Sequence, residues 1–141
     1  MRSVIRLGSF GLVFATLMLT AGSASAQGTE EHVKVEFKRA IPNVEGKSMV
    51  AVIVSYPPGG KSPAHHHAPS AFIYAYVLSG SIRSKVGNEP AKVYKVGESF
   101  YEVPGSHHAI SENASAKEPA SLLAIFVVDS KDTALTIPDK K

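Results

Sequence analysis

Gly59-Gly60-Lys61-Ser62-Pro63-Ala64-His65-His66-His67 leads into Ala68-Pro69-Ser70 and then into the apolar run Ala71-Phe72-Ile73-Tyr74-Ala75-Tyr76-Val77-Leu78, which stops at Ser79-Gly80. Turn chemistry at both ends and a β-rich run between them read as strands separated by tight joints. On a strand, His65 and His67 stand at i and i+2 and project from one face. Imidazole is the commonest metal-ligating side chain. A second cluster, Pro104-Gly105-Ser106-His107-His108, follows about forty residues later, so five of the six histidines lie in two short stretches. One further histidine from a partner strand would give three ligands converging on one ion.

Working outward, the same pattern recurs along the chain. His32 to Ala40 alternates Val33, Val35 and Phe37 with Lys34, Glu36 and Lys38, which predicts a half-buried strand. Met49 to Tyr56 is a near-continuous apolar run that predicts a strand buried on both faces. Ser81–Val86, Ala91–Val96, Ser99–Val103, His107–Ser111 and Ser121–Val128 add further short runs with Gly or Pro at most joints. Some eight strands at spacings near ten residues, with no stretch of sustained helical periodicity, indicate an all-β sandwich or barrel. Asp129 to Lys141 is charged and reads as a frayed or loosely packed tail.

The first 26 residues stand apart. Arg2 and Arg6 form a positive region, Leu12 to Leu19 a short apolar core, and Ala24-Ser25-Ala26 an A-x-A cleavage site. This predicts a helical signal peptide cut after Ala26, too short for a stable membrane anchor. Residues 27–141 then form one domain, and the protein is expected in the periplasm or outside the cell. Removing Arg2 and Arg6 takes the formal charge from +3 to +1, and no basic patch argues for nucleic acid. The chain has no cysteine, which excludes disulfides, thiolate metal sites and cysteine nucleophiles.

These residues resemble the two motifs of the cupins, small jelly-roll β-barrels that hold a metal inside. The first family motif runs from a glycine through His-x-His and a glutamate to a second glycine. Gly59, His65, His67 and Gly80 match it. The second runs from a glycine through Pro-x-Gly and a histidine to an asparagine. Gly97, Gly105, His108 and Asn113 match it, with Val103 at the proline position and one extra residue before Asn113. The resemblance covers about residues 47–128, the core of the expected domain. It implies that His65, His67 and His108 bind one divalent metal (Fe, Mn, Zn, Ni or Cu), with bonds of about 2.0–2.2 Å. His66 and His107, of opposite parity, are then expected at the surface or behind the ligands.

One departure matters. The position of the motif glutamate, seven residues before Gly80, is Ile73. Three neutral histidines without a carboxylate are then the expected ligand set, with Ile73 facing them and Glu102 the one carboxylate that could reach in instead. A glutamate introduced at position 73 is expected to raise affinity for manganese or iron. The implied function is a metal-dependent enzyme acting on a small organic substrate, of the dioxygenase or oxidoreductase type. The alternatives are a non-catalytic cupin that binds a sugar or organic acid, and an isomerase or lyase. Cupin barrels also pair through edge strands, which implies a homodimer as one arrangement, while the sequence itself leaves the oligomeric state open. Tyr74, Tyr76 and Tyr101 are read as packing residues and His32 carries no signal.

Overall fold

The computed structural model describes residues 30–140, and the expected signal peptide lies outside the described residues. Ten strands follow one another: β1 His32–Ala40, β2 Lys47–Tyr56, β3 His65–His67, β4 Phe72–Ser79, β5 Ser81–Val86, β6 Lys92–Lys95, β7 Ser99–Glu102, β8 His107–Asn113, β9 Ala120–Asp129 and β10 Thr136–Pro138. They form two five-stranded antiparallel sheets, ordered β1-β2-β9-β4-β7 and β10-β3-β8-β5-β6. No helix occurs among the described residues, and the expected all-β architecture holds.

Alternation along each strand builds the core between the sheets. Ile73, Ala75 and Val77 of β4 point inward, while Phe72, Tyr74 and Tyr76 stand exposed on the outer face. Val50 and Val52 of β2 meet Leu122, Ala124, Phe126 and Val128 of β9 in the same interior, and Ile82 closes it from β5. Full burial of an aliphatic side chain of this size stabilises the fold by about 1.5–3 kcal/mol. The joint at Gly80 accepts no other residue without strain: its φ is +66°, and a Cβ there would lie 2.5 Å from the Pro119 carbonyl oxygen.

Three expectations need correction. Strand β1 is exposed along its whole length. A register shift between Val35 and Phe37 turns it over, so Val33 and Val35 face inward opposite Val54 and Val52, but Phe37 lies opposite Ala51 on the outer face. Strand β2 is buried on one face only, because Met49 and its outward neighbours have no layer above them. The charged tail is not frayed: Thr136, Ile137 and Pro138 pair with His67, His66 and His65 as a tenth strand.

Candidate metal centre

Strands β3 and β8 lie side by side, with His65 directly opposite His108 and His66 directly opposite His107. Side-chain alternation therefore sends His65, His67 and His108 into the barrel and leaves His66 and His107 outside. His65 and His108 are buried. The ligand atoms of His65, His67 and His108 all lie within 4.8 Å of one another, so this group could hold one metal ion. All three expected site residues meet in one place.

Each ring is fixed from behind. His65 Nδ1 donates to the Pro63 carbonyl at 2.7 Å, and His67 Nδ1 donates to the Leu135 carbonyl at 2.9 Å. A carbonyl only accepts, so these bonds commit the two Nδ1 protons and turn both Nε2 atoms inward, where they face each other at 3.2 Å. Burial lowers the His65 pKa to about 4, so this ring is neutral near pH 7 and offers a lone pair. Between two facing nitrogens there is room for one shared proton or one metal ion. His108 is held by Ser84 Oγ, 2.9 Å from its Nε2, and turns Nδ1 toward the cluster. Outer partners of this kind set ring orientation at metal sites.

The carboxylate absent from position 73 comes from the neighbouring strand. Ile73 and Glu102 are direct partners in the β4–β7 ladder, so both face inward. Ile73 lines the cavity as expected, and Glu102, only 3% exposed, supplies the acid beside it. The three expected histidines form the group that could hold an ion, and Glu102 is a carboxylate placed beside them. Glu102 Oε1 lies 3.1 Å from His108 Nδ1, and Oε2 lies 3.5 Å from His67 Nε2. Burial would raise the Glu102 pKa, but the hydrogen bond from His108 and the neighbouring imidazoles outweigh it and bring it to about 2. The carboxylate is ionised, yet its buried Oε2 has no hydrogen-bond partner. Such an oxygen is costly unless a donor or a cation meets it.

The four groups sit at the end of a cavity of about 100 Å³, whose other walls include Val52, Ala75, Phe100, Leu122 and Phe126. Tyr56 also lines it, and its hydroxyl bonds to Ser62 and Ser111 at 2.8 Å each. Burial raises the Tyr56 pKa against those two bonds, which keeps the phenol neutral. Tyr56 and Ser84 carry no signal in the sequence, because a tyrosine and a serine within strands look like ordinary packing and surface residues. Asn113, a motif match, holds no ligand position. Its Nδ2 donates to the carbonyls of Pro57 and Glu118, which ties two loops together.

Two antiparallel sheets closed over a histidine–carboxylate cluster define a β-barrel with a polar centre in an apolar interior. The family model Cupin_2, described as a cupin domain, matches residues 52–126, and the chain belongs to this family. Solved structures agree on the fold. A conserved protein with a double-stranded β-helix domain from Klebsiella pneumoniae superposes with a TM-score of 0.61 at 20% identity, over 80% of this chain and 89% of its own. An oxalate oxidase in complex with glycolate gives 0.60 at 21% identity, over 89% of this chain but only 62% of its own. The cupin domain of an XRE family transcriptional regulator from Enterobacter cloacae gives 0.55 at 18%, over 68% and 94%. No curated protein matches the chain significantly.

Proposed function

We propose that this cupin is a metal-dependent enzyme that oxidises or cleaves a small organic substrate, with one divalent first-row ion held by His65, His67, His108 and Glu102. The observation that carries the reading is the convergence of three imidazole ligand atoms within 4.8 Å of one another, with the buried and unpartnered Glu102 Oε2 3.5 Å from His67 Nε2. One oxygen and three nitrogen donors suit Fe, Mn, Zn, Ni or Cu, and Glu102 brings the harder ions within range. When bound, such an ion supplies a Lewis acid and, where redox-active, one-electron chemistry with O₂.

The chain's own groups perform the rest. Pro63 and Leu135 carbonyls hold two rings in the ligating tautomer, and Ser84 holds the third. The largely apolar walls lower the local polarity and strengthen the polar interactions beside them. A cavity of about 100 Å³ admits a ligand of a few heavy atoms, which favours a small acid or alcohol over a polymer. Neighbours with this fold include both an oxidase and a regulator's domain, so metal content separates catalysis from plain binding.

The test is metal analysis of tag-free protein taken from its native compartment, followed by O₂-uptake assays on small organic acids and alcohols. About one equivalent of a first-row ion in the inner site is expected. A protein that arrives without metal and binds none of the five ions would leave the non-catalytic reading in its place. Removal of residues 1–26 and export belong to the same proposal, and N-terminal sequencing of the exported protein should begin at Gln27. We place the pairing of two copies on β1, the longest of the four edge strands β1, β7, β10 and β6, and sedimentation should report a dimer that proline substitutions in β1 dissociate.

A further inference from the structure

The outward side of the β3–β8 pair carries a second cluster that the inner centre does not use. His66 and His107 are direct cross-strand partners, and their rings stack with centroids 4.6 Å apart and planes 25° from parallel. Both aim a nitrogen at one carboxylate. His66 Nδ1 lies 3.2 Å from Asp139 Oδ1, and His107 Nε2 lies 2.7 Å from Asp139 Oδ2. Asp139 itself is anchored, since its backbone N–H donates to the Ala64 carbonyl at 3.0 Å. The three ligand atoms all lie within 4.8 Å of one another.

We propose that His66, His107 and Asp139 form a second, surface metal site for a borderline divalent cation such as Zn²⁺, which fastens strand β10 to the barrel. Two imidazoles and one carboxylate are a donor set that selects Zn²⁺, Cu²⁺ or Ni²⁺ over Mg²⁺ or Ca²⁺. Bonds of about 2.0–2.1 Å to a tetrahedral ion require ligand atoms roughly 3.3–3.4 Å apart, a spacing within the 4.8 Å that bounds this group. All three side chains are partly open to solvent, so water fills the remaining positions.

The site has a structural consequence. Its two histidines sit on the barrel, and its carboxylate follows β10 directly, so an ion there cross-links the tail to the sheet. That same tail holds the inner ring of His67 through the Leu135 carbonyl. Outer occupancy therefore stabilises the orientation of an inner ligand without touching it. This coupling rests on the inner reading, whereas the outer site itself does not.

Equilibrium dialysis of the tag-free mature protein against Zn²⁺, with metal quantified per chain, tests both. Two equivalents are expected in the wild type and one in His66→Ala/His107→Ala, a surface variant in which the barrel core is untouched. Asp139→Asn should weaken the outer equivalent at least tenfold. In His65→Ala/Glu102→Gln the outer equivalent should persist. A wild type that binds one equivalent, lost in the outer variant, would sink the inner reading and keep this one. Stoichiometry unchanged by His66→Ala/His107→Ala would overturn the surface site. As a second readout, Zn²⁺ at ten times its Kd should slow amide exchange over Thr136–Asp139 about tenfold, an effect absent in Asp139→Asn. Equal exchange with and without Zn²⁺ would overturn the fastening role.

Discussion

The inward and outward faces of the β3–β8 strand pair carry the same residue type on adjacent positions, yet they do different things. Inside, His65, His67 and His108 are shielded from water, braced by carbonyls and a serine, and set against an ionised carboxylate. Outside, His66 and His107 stack in solvent and lean on a carboxylate from the tail. The difference shows that imidazole alone does not make a buried centre. Exclusion of water does, because it removes the alternative partners that would otherwise satisfy each nitrogen and oxygen.

The sharpest way to break the contrast is to overload the inner face. Ile73→Glu would place a second carboxylate beside Glu102, and the metal-free protein should lose about 3 kcal/mol or more in urea unfolding. The exchange Ile73→Glu with Glu102→Ile should recover both stability and metal affinity, since it only moves the acid across one ladder rung. Failure of the exchange to rescue would mean that the carboxylate's strand, and not merely its presence, matters.

Removing an inner ligand comes next. His67→Ala should weaken inner-site metal binding by more than about 100-fold, beyond what loss of a bracing partner costs. Ser84→Ala should weaken it about tenfold by freeing the His108 ring. Competition titration with a chromophoric chelator measures both, and equal losses would argue that Ser84 is itself a ligand.

Acid probes the same face. Unfolded, His65 takes up a proton near pH 6.5, but folded it does so only near 4. Between those values the unfolded chain binds more protons, so acid favours unfolding. Metal-free protein should lose on the order of 2 kcal/mol between pH 7 and 4, with Glu102 adding to the loss from about 4.5 down toward 2. The variant His65→Gln should flatten the upper part of that slope, and an unaltered slope would remove His65 as its cause.

The smallest effect belongs to the outer face. In the absence of metal, His66→Ala should change stability by less than about 0.5 kcal/mol, as surface substitutions usually do. A loss comparable to that of His67→Ala would erase the distinction between the faces.

Much of this was legible in the chain before any fold was seen. Turn residues and period-two runs marked the strands to within a residue or two, since both signals are local: glycine and proline restrict the backbone, and alternation reflects which side of a strand meets water. The same parity rule separated His65, His67 and His108 from His66 and His107. Which strands become partners was not legible, because that choice is made by packing between segments far apart in the chain. Only the tertiary pairing of β4 with β7 put Glu102 beside Ile73 and returned a carboxylate to the centre. Likewise only docking of Thr136–Pro138 onto β3 turned a charged tail into a strand, gave His67 its brace, and brought Asp139 to two surface histidines more than thirty residues away. Those contacts depend on distance in space, which sequence spacing does not record.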